Sequence, residues 1–172
     1  MHCLSACDTR SNSVSAPPTS PVLHGLCHPQ GRVQVLGVKH VLVCGHSNCG
    51  AIKAALTLPS ASALLTNCWI SQIRDTRNAH AAELANLSTK EQVARLARLN
   101  VTKQVFNVCT SPVLQQAWQS GTPVAVHGLL YDVATGALTR LVGPLAGNDS
   151  VPSDMTAALQ TCLLYTSPSP RD

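Results

Sequence analysis

The chain has 172 residues and a mass of 18.1 kDa, enough for one domain and too little for two of full size. Hydrophobic residues make up 45% and charged residues 12%, which excludes a chain disordered throughout. The net charge of +4 is scattered rather than clustered, so no nucleic-acid partner is expected, and no apolar run reaches the roughly 18 residues needed to cross a bilayer. The first thirty residues lack the basic-then-apolar order of a secretory signal, so the expectation is an unsecreted protein, cytoplasmic or organellar, without a membrane partner. In that setting the eight cysteines are expected as buried, catalytic or metal-binding thiols rather than disulfides.

Residues 1–32 read as an irregular amino-terminal segment. Ser11 to Pro29 mixes Ser, Pro, Thr, Asn and His without a helical or strand period, and Pro17, Pro18 and Pro21 exclude a helix there. From Val33 a domain is expected to run to about residue 150. Val38 to Gly45 is β-branched, mostly apolar and stopped by Gly, as for a strand buried on both faces. His46 to Gly50 turns into a helix over Ala51 to Leu56. Such a strand–turn–helix unit places its turn at the carboxyl end of a strand, where open α/β sheets hold their sites.

Leu64 to Leu84, with apolar residues at 65, 69 and 73, reads as one long helix. Ser88-Thr89-Lys90-Glu91 is a capping box opening the next, with Val93, Leu96, Val101 and Val105 near one face. Ser111 and Pro112 start a helix that Gly121 stops. Pro123 to Leu129 reads as a second strand, and Tyr131 to Leu141 as a hairpin about Ala134-Thr135-Gly136. Strands alternating with helices give an α/β fold with a parallel-sheet core flanked by helices. Residues 151–172 are expected as a tail outside the fold: Cys162 to Asp172 (CLLYTSPSPRD) resembles one translated reading frame of a transposon-type sequencing adaptor, a disordered tail being the alternative.

His46-Ser47-Asn48-Cys49 places an imidazole and a thiol three residues apart at a helix start. These are ligand types that zinc prefers, and a helix amino terminus lowers a thiol pKa. The spacing alone leaves two readings open: two zinc ligands, or a packed His beside an inert buried Cys.

Val38 to Leu56 (VKHVLVCGHSNCGAIKAAL) resembles the zinc-binding segment of the β-class carbonic anhydrases. The resemblance continues through Trp69 to Asp75, Leu99-Asn100-Val101 with Gln104-Val105, Ala117-Trp118, His127 to Asp132 and Thr135 to Leu138, covering about 33 to 142. It implies a β-carbonic-anhydrase-like fold, a homodimer or higher homo-oligomer, and a zinc enzyme interconverting carbon dioxide and bicarbonate. It also implies that His46 and Cys49 are two of three protein ligands, with water in the open position made acidic enough to yield a hydroxide nucleophile near neutral pH. The family draws its third ligand, and an Asp–Arg pair near the zinc, from a C-x-D-x-R motif.

Here the nearest match is Ala6-Cys7-Asp8-Thr9-Arg10, where Asp8 and Arg10 keep the D-x-R spacing but Ala6 stands at the ligand position and Cys7 one residue later. Three readings stay open: a shifted Cys7 that binds zinc, an altered amino terminus, and a relative without activity that serves association or weak zinc binding. Cys3 and Cys27 are fallback ligands. Hydrolysis of carbon disulfide or carbonyl sulfide, which relatives with the same metal site perform, is a further alternative. Cys44, Cys68 and Cys109 are expected as buried hydrophobes, Trp69 and Trp118 as core or interface anchors, and His127 as a satisfied structural histidine. Arg74, Asp75 and Arg77 are expected as a solvated or interface charge cluster.

Overall fold

The computed structural model describes residues 3–6, 33, 37–59 and 62–151. The expected loop over 11–29 and the tail beyond 151 lie outside the described residues. Among the described residues four strands form one sheet in the order β1-β2-β3-β4: β1 (Cys3–Ala6), β2 (His40–His46), β3 (Ala125–Tyr131) and β4 (Leu138–Leu145). The central pair, β2 and β3, is parallel, with His40 opposite Ala125 and His46 opposite Tyr131. Both outer strands are antiparallel to their neighbours, so the α/β fold holds a mixed sheet around a parallel pair. A parallel pair needs a long crossover, and the described residues between β2 and β3 supply six helices. These are α1 (Gly50–Leu56), α2 (Leu64–Trp69), α3 (Ser71–Ala79), α4 (Ala81–Ala85), α5 (Thr89–Cys109) and α6 (Pro112–Gln119).

The single helix expected over 64–84 is three short ones. Ile70 (φ −93°, ψ 6°) and His80 (φ −114°, ψ 23°) leave helical geometry and reset the face presented to the core. The buried positions are therefore Ile70, Ile73, Thr76 and Leu84, while Leu65 is 77% exposed. The helix-start signals do hold. Ser88 and Glu91 form the capping box of α5, the Ser88 amide donating to Glu91 Oε2 at 2.9 Å. Pro112 sits in the first turn of α6 behind the N-cap Ser111.

α5 carries two buried clusters. Val101, Val105 and Cys109 pack on the sheet with Val41, Val43, Val126, Leu141 and Val142, joined by Leu114 and Ala117 of α6. One turn earlier, Val93, Leu96 and Ala97 pack with Ile52 and Ala55 of α1 and with Ile70 and Ile73. The helix approaches the sheet over two glycines: a Cβ at Gly45 would lie 2.5 Å from Val101 Cγ2, and one at Gly128 2.9 Å from Val105 Cγ2. Only this face of β2 is fully buried. Leu42 and Cys44, on the other face, are half-buried and His40 is exposed, so the strand is not covered on both faces by the described residues.

Candidate functional site

β2 ends at His46, and α1 begins at Gly50 with Cys49 as its N-cap residue. The intervening turn passes through Asn48 at φ 56°, the left-handed region that asparagine tolerates better than most residues. The turn is tied to the end of β3, where the Ser47 amide donates to Tyr131 O at 2.8 Å. His46 and Cys49 thus occupy one short turn at the carboxyl end of the central parallel pair, both half-buried.

The His46 ring is oriented by its own turn. Its Nδ1 lies 2.9 Å from the carbonyl oxygen of Ser47. A carbonyl only accepts, so Nδ1 carries the proton and the Nε2 lone pair is left for a ligand. Cys49 makes no capping hydrogen bond through its side chain and packs against the α1–α3–α5 cluster. An imidazole with a free lone pair and a half-buried thiol without a capping bond fit the donor chemistry of zinc. Among the described residues no group of three or more His, Cys, Asp or Glu could hold a metal, so this turn offers two donors and a third must come from elsewhere.

Cys7, Asp8 and Arg10 lie outside the described residues. What precedes them is placed: β1 runs antiparallel to β2, with Cys3 opposite Cys44 and Ala6 opposite Val41. Ala6 is thus five positions along β2 from His46, about 16 Å at strand rise.

Several residues differ from expectation. Arg74 and Arg77 are not a solvated cluster: Arg77 Nη1 donates to Ala55 O at 2.7 Å, and Arg74 Nη2 to Asn67 Oδ1 at 3.1 Å and Ala54 O at 3.4 Å. They meet the carbonyls at the carboxyl end of α1, where cations are favoured. Asp75 is exposed as expected. Cys68 is exposed and Cys44 half-buried rather than buried. Cys109 is buried as expected, and burial pushes its thiol up to about 12, which makes it inert. Trp118 anchors on the sheet cluster and donates through Nε1 to Val124 O at 2.8 Å, whereas Trp69 is half-buried.

His127 pairs with another histidine, its Nε2 lying 3.1 Å from His40 Nδ1. Sequence reasoning missed Ser47 and Asp132 as parts of the site. Ser47 Oγ donates to Asp132 Oδ1 at 2.9 Å across 85 residues of chain. The signal was an acidic residue directly after a strand and before a Thr-Gly turn, a position where such side chains bond turn amides.

An α/β sheet with a thiol–imidazole turn at the carboxyl end of its parallel pair defines an open-sheet α/β protein with its candidate site at that sheet end. A family model described as carbonic anhydrase matches residues 31–138. A carbonic anhydrase of Emericella nidulans is 40% identical over 108 residues, covering 62% of this chain and 46% of its own. One of Pseudomonas aeruginosa is 33% identical over 117 residues, covering 64% and 50%. Among solved structures, the Coccomyxa β-carbonic anhydrase in complex with acetazolamide superposes with a TM-score of 0.74 at 38% identity, covering 87% of this chain and 68% of that one. A tetrameric β-carbonic anhydrase of Sordaria macrospora gives 0.66 at 30% identity, covering 76% and 64%. The chain belongs to the β-carbonic anhydrase family. It spans about half the length of the curated relatives it matches.

Proposed function

We propose that this chain carries the metal-bearing turn of a zinc-dependent carbonate dehydratase acting on carbon dioxide and bicarbonate. The observation that carries the reading is the His46–Ser47 hydrogen bond, which engages Nδ1 and leaves Nε2 as the ring nitrogen open to a ligand, near a half-buried Cys49, in a chain of this family. His46 and Cys49 would hold the ion. When bound, zinc supplies Lewis acidity that makes water a nucleophile near neutral pH. The chain's own contribution is to hold the His46 ring in one orientation, to present the Cys49 sulfur beside it, and to supply through Asp8 and Arg10 a hydrogen-bond acceptor held in place by a cation. As in the tetrameric relative, self-association into a homodimer or larger assembly is part of the proposal.

The third ligand is proposed to be a thiol of the amino-terminal segment. Cys7 has the motif's support, whereas the register that sets Cys3 opposite Cys44, two residues before His46, favours Cys3. Zinc content per chain, measured without added metal, separates them. We expect about one zinc per chain, lost in Cys49→Ser and in one of Cys7→Ser or Cys3→Ser. Carbon dioxide hydration abolished by a chelator and restored by zinc supports the enzyme. Zinc bound without hydration means a relative without activity, and no zinc overturns the proposal.

A further inference from the structure

We infer that Ser47 and Asp132 form a clasp that fixes the His46–Cys49 turn to the β3–β4 hairpin and so positions the His46 imidazole. Every polar atom of Ser47 is engaged. Its amide donates to Tyr131 O at 2.8 Å, and its carbonyl accepts from His46 Nδ1 at 2.9 Å. Its hydroxyl donates to Asp132 Oδ1 at 2.9 Å and accepts from the Val133 amide at 3.0 Å. The residue that orients the imidazole is therefore itself held at three points by another part of the chain.

Those points belong to a turn that Asp132 closes independently of Ser47. The Asp132 amide donates to Ala137 O at 2.8 Å, and its carbonyl accepts from the Gly136 amide at 2.8 Å. Its Oδ1 also accepts from the Ala134 amide at 3.0 Å, and its Oδ2 from Thr135 Oγ1 at 2.9 Å. Ser47 is thus fastened to a pre-formed hairpin end. Among the described residues, its hydroxyl makes the side-chain hydrogen bonds that tie residues 46–49 to another element, donating to Asp132 and accepting from Val133. Without it, the turn keeps only the Ser47 amide bond to β3, the Ser47 carbonyl is free to swing, and Nδ1 and Nε2 compete for the ring proton. Neither residue touches the reacting atoms; both are positioning residues, and partners of this kind typically change metal affinity by about 10–100-fold.

The metal readout rests on the zinc reading above, so the test pairs it with one that needs no metal. In the full chain, amide hydrogen exchange at residues 46–49 is followed together with a cobalt(II) titration read by thiolate-to-cobalt absorption, with α5 amides as the reference for global stability. The proteins compared are wild type, Ser47→Ala, Asp132→Ala and Asp132→Asn, whose Oδ1 can still accept from Ser47 and Ala134. In both alanine variants we expect turn exchange about 10-fold faster or more, unchanged α5 exchange, and cobalt affinity at least about 10-fold weaker, with Asp132→Asn close to wild type. Turn exchange unchanged in both alanine variants, or rising only in step with α5, overturns the clasp. Faster turn exchange with cobalt affinity unchanged overturns the positioning of His46. Faster turn exchange in a protein whose wild type takes up no cobalt supports the clasp and removes the zinc reading instead.

Discussion

His127 stands on β3 with its Nε2 3.1 Å from His40 Nδ1, a hydrogen bond that requires at least one of the two rings to be neutral. Burial, the facing His40 and the Arg140 guanidinium hold the His127 pKa below its ordinary 6.5. A depressed folded value means that the neutral form is the one folding favours. Its contribution is present in full above about pH 6.5 and is lost as pH falls through the folded value. We therefore expect the urea midpoint to drop as pH falls below about 6.5 and this limb to flatten in His127→Gln; an unchanged slope in the variant would refute the assignment. A separate acid limb belongs to Glu83 and Asp132. The Arg95 hydrogen bond lowers the one and the Ala134 amide the other from ordinary carboxylate values, so their contribution disappears only as pH falls through those lowered values. At this scale the sequence pointed to the His46–Cys49 turn as the candidate site and to a partnered His127. It could not show that the partner is His40, because the pairing depends on strand register.

α5 meets the sheet where the chain has no side chain, at Gly45 and Gly128, and Gly45 directly precedes His46. Gly45→Ala would put a methyl 2.5 Å from Val101 Cγ2, an overpacking expected to cost about 1–3 kcal/mol. Val101→Ala opens a small cavity on its own, yet combined with Gly45→Ala it removes the clash. The double variant should be less destabilised than the sum of the singles, and additive thermal or urea data would show that α5 simply shifts away. The elements with strong local signals were readable: β2 from its β-branched run, α5 from Ser88 and Glu91, α6 from Ser111 and Pro112. The 64–84 segment was not, because the apolar spacing 65, 69, 73 looks continuous while the backbone breaks at Ile70 and buries 70, 73 and 76 instead. The bonding partners of Arg74 and Arg77 were hidden for a related reason. Their acceptors, Ala54 O and Ala55 O, are about twenty residues away in sequence and become neighbours only once α3 has packed on α1.

The two buried clusters meet in α5, and the candidate site lies across the same junction: His46 ends a strand of the sheet cluster, and Cys49 packs against the helical one. A continuous helix of 21 residues contributing to both clusters cannot lose one without giving up half of its own packing. The described domain should therefore unfold as one unit. The two tryptophans report on the two sides, since Trp118 packs on the sheet cluster and Trp69 directly precedes Ile70 of the helical one. Fluorescence of Trp69→Phe and Trp118→Phe should give a single urea midpoint once each variant's own stability change, measured by circular dichroism, is subtracted. Separated midpoints would mean that α5 frays at the junction and that the site bridges two independent units. If zinc binds at the His46–Cys49 turn, saturating metal links both clusters and should raise both midpoints by the same amount, because a ligand that binds only the folded state stabilises the whole cooperative unit. A rise confined to Trp69 would place the metal on the α1 side alone, with the His46 strand uninvolved.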